Sequence, residues 1–124
     1  MPKRLPLAAL ALTCLATPAI SHQQLLVDAG RGPIAVHFPD SYDPANPLPV
    51  VLLLHGYSSS GASVQAWLDL LALIDSREFI YAYPDGTKDL FGFRFWNATD
   101  ACCNLFGLPV DDSQYLSDLL DEIE

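Results

Sequence analysis

The sequence predicts an α/β fold built around parallel strands, and three segments carry that prediction. Residues 50–54 form an apolar run without alternation, which is typical of a strand that is covered on both faces. Residues 64–74 repeat apolar side chains every three and four positions, which indicates a helix with one buried stripe. Residues 79–83 form a second apolar strand that ends at a Pro-Asp-Gly turn. Strand, helix and strand in this order form the crossover unit of a parallel sheet.

Two short strands are predicted before this unit. Residues 25–27 and 34–38 are apolar and are separated by a Gly-Arg-Gly segment, which predicts a hairpin. Residues 39–49 are rich in Pro, Asp, Ser and Asn and are therefore predicted to form a loop that leads into the strand at Val50.

The segment after the second strand of the unit is predicted to be irregular over residues 87–109. Asp111 or Asp112 then begins a helix with Tyr115, Leu119 and other apolar residues on one face. The helical pattern still continues at Glu124. The predicted architecture is therefore a hairpin followed by strand, helix, strand and helix, and we expect this sheet to be incomplete.

Residues 1–21 have the features of a secretory signal peptide. Lys3 and Arg4 precede an apolar core, and Ala19-Ile20-Ser21 forms a small-x-small exit. The apolar part is too short for a comfortable membrane span. We therefore predict a secreted or periplasmic protein in which residues 22–124 form the folded part.

The charge of the chain excludes some classes of partner. The formal net charge is −9, and removal of Lys3 and Arg4 with the signal peptide makes it two units more negative. Nucleic acid binding depends on Lys and Arg, which release counterions from phosphates, so it is not expected, and neither is binding to an anionic membrane.

Cys102 and Cys103 are the two cysteines that remain after residue 21. In an oxidising compartment cysteines are normally bonded. A bond between adjacent residues requires a distorted peptide, which favours distant partners, and two packed free thiols are the alternative. Their spacing does not suit a zinc ion, and no metal site is predicted.

The apolar run 50–54 ends at His55-Gly56-Tyr57-Ser58, and ligands bind at the carboxyl ends of such strands. With Tyr81-Ala82-Tyr83-Pro84-Asp85-Gly86, Phe95-Trp96-Asn97 and Val110-Asp111-Asp112, this stretch resembles the secreted esterases grouped with polyhydroxybutyrate depolymerases and feruloyl esterases, which have the α/β-hydrolase fold. The resemblance covers nearly all of residues 22–124.

The resemblance implies a serine esterase in which a loop after the first buried strand stabilises an oxyanion. It implies that the backbone N–H of Tyr57, with Ser58 second, is the donor, and that His55 and Gly56 position the loop. Trp96 and Asn97 are candidate substrate contacts, with a packed aromatic as the alternative for Trp96. Serine chemistry needs no cofactor, and none is expected.

The nucleophilic serine, the acid and the base of this family are not recognised in this sequence. All three histidines occur at or before residue 55, whereas the base of this fold follows its serine and its acid. We therefore expect an amino-terminal fragment that is inactive alone. The strand at 50–54 would then have a free edge, through which we expect self-association.

Two other interpretations remain open at this stage. One is a complete small secreted binding module that grips a sugar or a polymer through Trp67, Trp96 and the aromatics of residues 91–95. The other is a fragment of a different α/β-hydrolase, such as a peptidase or a lipase. The ester itself, whether a polymer, a feruloylated polysaccharide or a small acyl ester, is not determined by these residues.

Overall fold

The computed structural model describes residues 22–124, and the predicted signal peptide lies outside the described residues. The described part has mixed α/β content, as predicted. It contains a four-stranded sheet, a two-stranded sheet and three α-helices. The strand order of the larger sheet is β1-β2-β4-β3.

The predicted hairpin is confirmed. β1 (Gln23–Val27) and β2 (Ile34–Phe38) pair antiparallel over their whole length. In the connection, Gly30 and Gly32 have positive φ values that other residues rarely adopt, and both of their N–H groups donate to the Asp28 carboxylate. β2 continues the sheet by pairing antiparallel with β4.

The predicted crossover is also present. β3 (Val50–Leu52) and β4 (Ile80–Ala82) are parallel, and the connection between them contains α1 (Gly61–Leu68). β3 is shorter than the predicted 50–54, and it is half-buried rather than fully buried. The reason is its place in the sheet, because within residues 22–124 β3 pairs only with β4. Leu54 beyond it is exposed.

The single helix predicted over residues 64–74 is wrong. α1 ends at Leu68, Asp69 takes a left-handed conformation, and a 3₁₀ turn (Leu70–Leu73) leads into α2 (Ile74–Arg77). A short polar residue such as Asp tolerates this conformation. The predicted apolar stripe is buried only in part, since Ile74 is fully buried while Trp67 is 82% exposed.

Residues 87–109 are not entirely irregular, which corrects the prediction. β5 (Thr87–Lys88) and β6 (Arg94–Phe95) form a small antiparallel hairpin. The turn between them runs from Asp89 to Gly92, with Gly92 at φ 85°. An Asp three residues ahead of a Gly is a common turn signature, so this hairpin had a local signal that was overlooked.

The last predicted helix is confirmed as α3 (Asp112–Ile123). Asp111 is its N-cap, and its side chain accepts the Gln114 N–H at 2.9 Å. The buried Asp112 carboxylate instead pairs with Arg31 of the hairpin connection and accepts the Asn97 N–H. Arg31 also lies 4.0 Å over the ring of Tyr115. These contacts fix the start of α3 to the β1–β2 hairpin.

The core lies between α3 and one face of the larger sheet. Its buried members are Val27, Val36, Phe38, Ile80, Ala82 and Leu119. The alternation of side chains along β4 directs Tyr81 to the opposite face, where its hydroxyl donates to Gln65 of α1 at 2.6 Å. α3 and α1 thus contact opposite faces of the sheet. No helix within residues 22–124 has the length and apolar character that crossing a bilayer requires.

Candidate functional site

The loop that follows β3 is a tight turn at the carboxyl end of the strand. The β3–β4 ladder continues to Leu53, whose N–H donates to Ala82 O at 2.9 Å. The chain then reverses, with the Ser59 N–H donating to Gly56 O at 3.2 Å. Ser58 has a φ of 61°, and a positive φ at the third residue is the mark of a type II turn. Residues other than glycine rarely adopt this left-handed conformation, and those that do are often found at functional sites.

The two backbone donors predicted for the oxyanion differ in this turn. The Ser58 N–H donates to Arg94 O of β6 at 2.8 Å, so it is already used. The Tyr57 N–H has no acceptor among residues 22–124. The structure therefore leaves Tyr57 as the free donor, whereas Ser58 attaches the loop to the small hairpin.

His55 joins this loop to the turn after β4. Its ring is buried, its Nδ1 lies 2.8 Å from Gly56 O, and its Nε2 lies 2.9 Å from the Gly86 N. An N–H can only donate, so Nε2 is the acceptor and Nδ1 carries the proton that Gly56 O accepts. Both ring nitrogens are thus used in holding backbone.

Gly56 and Gly86 lie at the two sides of this histidine and differ in their surroundings. A Cβ at Gly86 would overlap the carbonyl oxygen of Phe95, whereas a Cβ at Gly56 would meet no heavy atom within 4 Å. Gly86 is therefore required by packing. The space beside Gly56 is open, next to the free Tyr57 N–H.

The side chain of Tyr57 points to the small hairpin. Its hydroxyl donates to Asp89 Oδ2 at 2.7 Å, and its ring lies 5.9 Å from that of Phe93. Asp89 Oδ1 also accepts the N–H groups of Phe91 and Phe93. Burial opposes ionisation of Asp89, but these hydrogen bonds together outweigh it and lower the pKa of Asp89. The hydrogen bond from the Tyr57 hydroxyl to Asp89 raises the pKa of Tyr57, and burial raises it further.

Asp85, in the turn after β4, connects three elements. Its Oδ1 accepts the Gly61 N–H at the start of α1, and its Oδ2 lies 2.9 Å from Arg94 Nη2 of β6. A Cβ at Gly61 would overlap the Tyr83 carbonyl oxygen, so this helix start is in close contact with the end of β4. Asp85 was predicted only as a residue of the Pro-Asp-Gly turn, so these longer-range contacts were not foreseen.

Trp96 and Asn97, the candidate substrate contacts, are held mostly by the protein itself. The centroid of the Trp96 ring lies 5.4 Å from that of His55 and 6.4 Å from that of Tyr115. Asn97 donates its side-chain N–H to Val110 O at 2.8 Å. The Trp96 Nε1 is buried without an acceptor among the described residues. Trp96 borders a cavity of about 250 Å³ that Leu54, Asn97 and Leu116 also line.

Cys102 and Cys103 are bonded to each other in the structure, across a cis peptide bond. The sequence favoured distant partners, and the structure differs because the two α carbons approach to 3.2 Å. The pair lines a separate cavity that Asn97, Thr99 and Asn104 also border.

Exposed apolar side chains lie beyond Tyr57 on the small hairpin and the following loop. We call them the apolar patch, and the rings of Phe91 and Phe106 are 5.2 Å apart within it. Phe91 is 73% exposed and Leu105 is 70% exposed. Its members are Leu90, Phe91, Phe93, Leu105 and Phe106.

A complete catalytic triad is not assembled within residues 22–124. The His55 nitrogens are both bonded to backbone, His37 is stacked on Tyr83, and His22 lies beside Asp75. None of these rings forms a hydrogen bond with a serine hydroxyl in the described part of the chain.

Comparison with known proteins does not identify the chain. No protein-family model matches the sequence, and no curated protein matches it.

Proposed function

We propose that residues 22–124 form the oxyanion side of the active site of a secreted serine ester hydrolase with the α/β-hydrolase fold. Such an enzyme cleaves carboxylic esters of the polyhydroxyalkanoate or feruloyl type. The nucleophile, the acid and the base come from outside these residues. The proposal rests on one observation above all, the free Tyr57 N–H at the carboxyl end of β3.

The chemistry of ester cleavage explains why this donor matters. When a serine attacks an ester, the carbonyl oxygen becomes negative, and a donor that is already oriented lowers the barrier without reorganisation. In α/β-hydrolases one such donor comes from the loop between the third strand and the first helix. Tyr57 lies in the loop between β3 and α1.

The surroundings of Tyr57 support pre-organisation of this donor. The His55 ring fixes the peptide before it, and the Ser58 N–H fixes the peptide after it to Arg94 O. The open space beside Gly56 leaves room for an ester at the donor. In the α/β-hydrolase fold, the strand that leads to the nucleophile pairs with the edge of β3 that is unpaired within residues 22–124.

The first experiment measures hydrolysis of a nitrophenyl butyrate by the purified chain. We expect no rate above that of the buffer, because no serine is activated within the described residues. A turnover of about 1 s⁻¹ or faster, which is typical of enzymes, would contradict the proposal.

The nucleotides after codon 124 should encode a Gly-x-Ser-x-Gly segment in frame, and a stop without it would count against an esterase.

The second experiment removes the donor from the extended protein that such a frame encodes. Tyr57→Pro deletes the N–H, and proline suits the second position of a type II turn. We expect kcat to fall by about 10²–10³, the effect of losing one oxyanion donor. Tyr57→Phe is the matched control, because it keeps the N–H and removes only the hydroxyl bond to Asp89. Equal kcat values for the two variants would exclude Tyr57 as the donor.

One observation favours the alternative of a non-catalytic binding module. The apolar patch and Trp67 expose large side chains to solvent, and such surfaces often bind ligands. If the chain is a binding module, it should bind a polyester or a polysaccharide saturably by itself. Phe91→Ala should then abolish this binding. The esterase proposal requires no such binding by residues 22–124.

A further inference from the structure

We propose that His22, Asp40 and Asp75 form a binding site for a divalent transition-metal ion of the zinc type. The site lies away from the β3 loop and is independent of the esterase proposal. One ligand nitrogen of His22 and one carboxylate oxygen of each Asp lie within 4.8 Å of one another. No metal site was predicted from the spacing around the cysteines, and these three residues are far apart in the chain.

The fold brings the three residues together through two contacts. In the β1–β2 hairpin, Gln23 is opposite Phe38, so the residue before β1 meets the residues after β2. This register places His22 near Asp40. The Asp40 N–H donates to Asp75 Oδ1 at 2.8 Å, which attaches the first turn of α2 to the same corner.

The environment of His22 supports a bound ligand independently of the clustering of the three side chains. Its side chain is only 10% exposed, and its Nδ1 is buried without a hydrogen bond. This nitrogen lies 3.3 Å from Asp75 Oδ2, but the alignment is not that of a hydrogen bond. A lone pair of a neutral imidazole beside a carboxylate oxygen is unfavourable unless a proton or a cation lies between them.

The geometry suits zinc. Ligands about 2.0–2.1 Å from a tetrahedral ion are separated from each other by roughly 3.3 Å. The His22–Asp75 separation already has this value. Asp40 is exposed, so its carboxylate is free to rotate toward the ion. Three protein ligands leave the fourth position to water, an arrangement that zinc sites commonly adopt.

The surroundings also favour a cation of this class. Asp75 Oδ1 is occupied by the Asp40 N–H, which orients the carboxylate and leaves Oδ2 toward His22. A neutral imidazole with two carboxylates carries two negative charges, which a divalent ion neutralises. An imidazole ligand selects zinc-like ions over Mg²⁺ and Ca²⁺, which prefer oxygen ligands only.

The test is calorimetric titration of the purified, untagged full chain with ZnSO₄ after removal of metals by chelator. We expect one zinc per chain. At a free zinc concentration 100-fold above the Kd, we expect a rise in Tm of roughly 10–20 °C. Mg²⁺ and Ca²⁺ at millimolar concentration should leave the Tm unchanged.

Variants test whether the ligands are those proposed. His22→Gln, Asp40→Asn and Asp75→Asn should each weaken zinc binding at least about 10-fold. Asp75→Asn keeps an oxygen that accepts the Asp40 N–H, so the fold should persist. Asp121→Asn, with the same loss of charge on the exposed part of α3, is the matched control and should bind as the parent does.

Three results would overturn the proposal. They are no stoichiometric zinc binding, binding that all three ligand variants retain, and an equal loss in Asp121→Asn, which would indicate surface charge alone. An ion pair between His22 and Asp75 without metal would appear as the first of these results. None of these readouts depends on hydrolytic activity, so failure here leaves the esterase proposal untouched.

Discussion

Single backbone atoms decide the chemistry available at the β3 loop. Tyr57 and Ser58 are neighbours in one turn, yet the Ser58 N–H is bonded to Arg94 O while the Tyr57 N–H has no acceptor within residues 22–124. His55 and Gly86 matter for the same reason, because each places backbone rather than presenting a reactive side chain. At this scale the two glycines beside His55 differ, because Gly86 leaves room for a close contact with Phe95 O whereas Gly56 borders open space.

Substitution of these glycines gives a test at the residue scale. Gly86→Ala introduces a Cβ that overlaps Phe95 O, so the backbone must shift, and we expect a loss of at least about 2 kcal/mol in the free energy of unfolding. Gly56→Ala enters open space and should change it by no more than about 0.5 kcal/mol. Urea unfolding measures both values. Similar losses for the two variants would mean that the contact at Gly86 is not tight.

Among the elements, the small β5–β6 hairpin is what supports the turn that holds Tyr57. It contributes Arg94 O to Ser58, Arg94 Nη2 to Asp85 and the Asp89 carboxylate to the Tyr57 hydroxyl. Two residues per strand provide few ladder bonds of their own. The hairpin is therefore held by side chains, and Asp89 has the largest number of these bonds within it.

The lowered pKa of Asp89 makes the hairpin sensitive to acid. The ionised form is favoured in the folded state, so its contribution is present above the ordinary pKa of 3.8 and is lost as the pH falls below that value. The groups that face the carboxylate are the Tyr57 hydroxyl and the N–H groups of Phe91, Gly92 and Phe93.

Comparison with Asp89→Asn tests this pH dependence. The parent should unfold at higher urea concentration than the variant at about pH 6, and the gap should shrink as the pH falls to about 3. Asp121→Asn provides the control for general loss of charge, and its gap should vary much less. A constant gap for Asp89→Asn would show that the ionised form is not favoured by folding.

At the scale of the whole molecule, the four-stranded sheet has two edge strands within residues 22–124, β1 and β3. β3 pairs with β4 alone within residues 22–124, and no charge or proline interrupts its apolar sequence. Unpaired strand edges of this kind pair with other chains. The net charge of −9 opposes association over longer distances. We expect the short-range pairing to prevail at high protein and salt concentration, where repulsion is screened.

Self-association through this edge is tested by Val51→Lys. A lysine on an edge strand opposes pairing, and Val51 is half-buried and outside the core cluster around Leu119. We expect light scattering to report oligomers for the parent chain and mainly monomer for Val51→Lys. Leu90→Lys places the same charge in the apolar patch and should leave the oligomers in place. The reverse pattern would assign the association to the patch instead.

Elements whose signals are local could be predicted from the amino-acid sequence. The β1–β2 hairpin, the crossover from β3 to β4 and the start of α3 at Asp111 or Asp112 depend on periodicity, glycine and capping within a few residues, and each was predicted. The Asp69 break and the β5–β6 hairpin were missed. The Asp69 break was missed because the apolar periodicity of the helix continues past the point where the helix ends. The hairpin was missed because its turn residues lie among aromatic residues that show no periodic pattern.

The construction of the site, in contrast, depends on long-range contacts. The use of the Ser58 N–H, the Asp85 contact with Arg94 and the meeting of His22 with Asp75 all join residues that are distant in sequence. No local pattern encodes such pairs, because a hydrogen bond forms wherever the packed backbone brings a donor to an acceptor. The position of the loop at a strand end was therefore predictable, whereas which of its donors stays free was not.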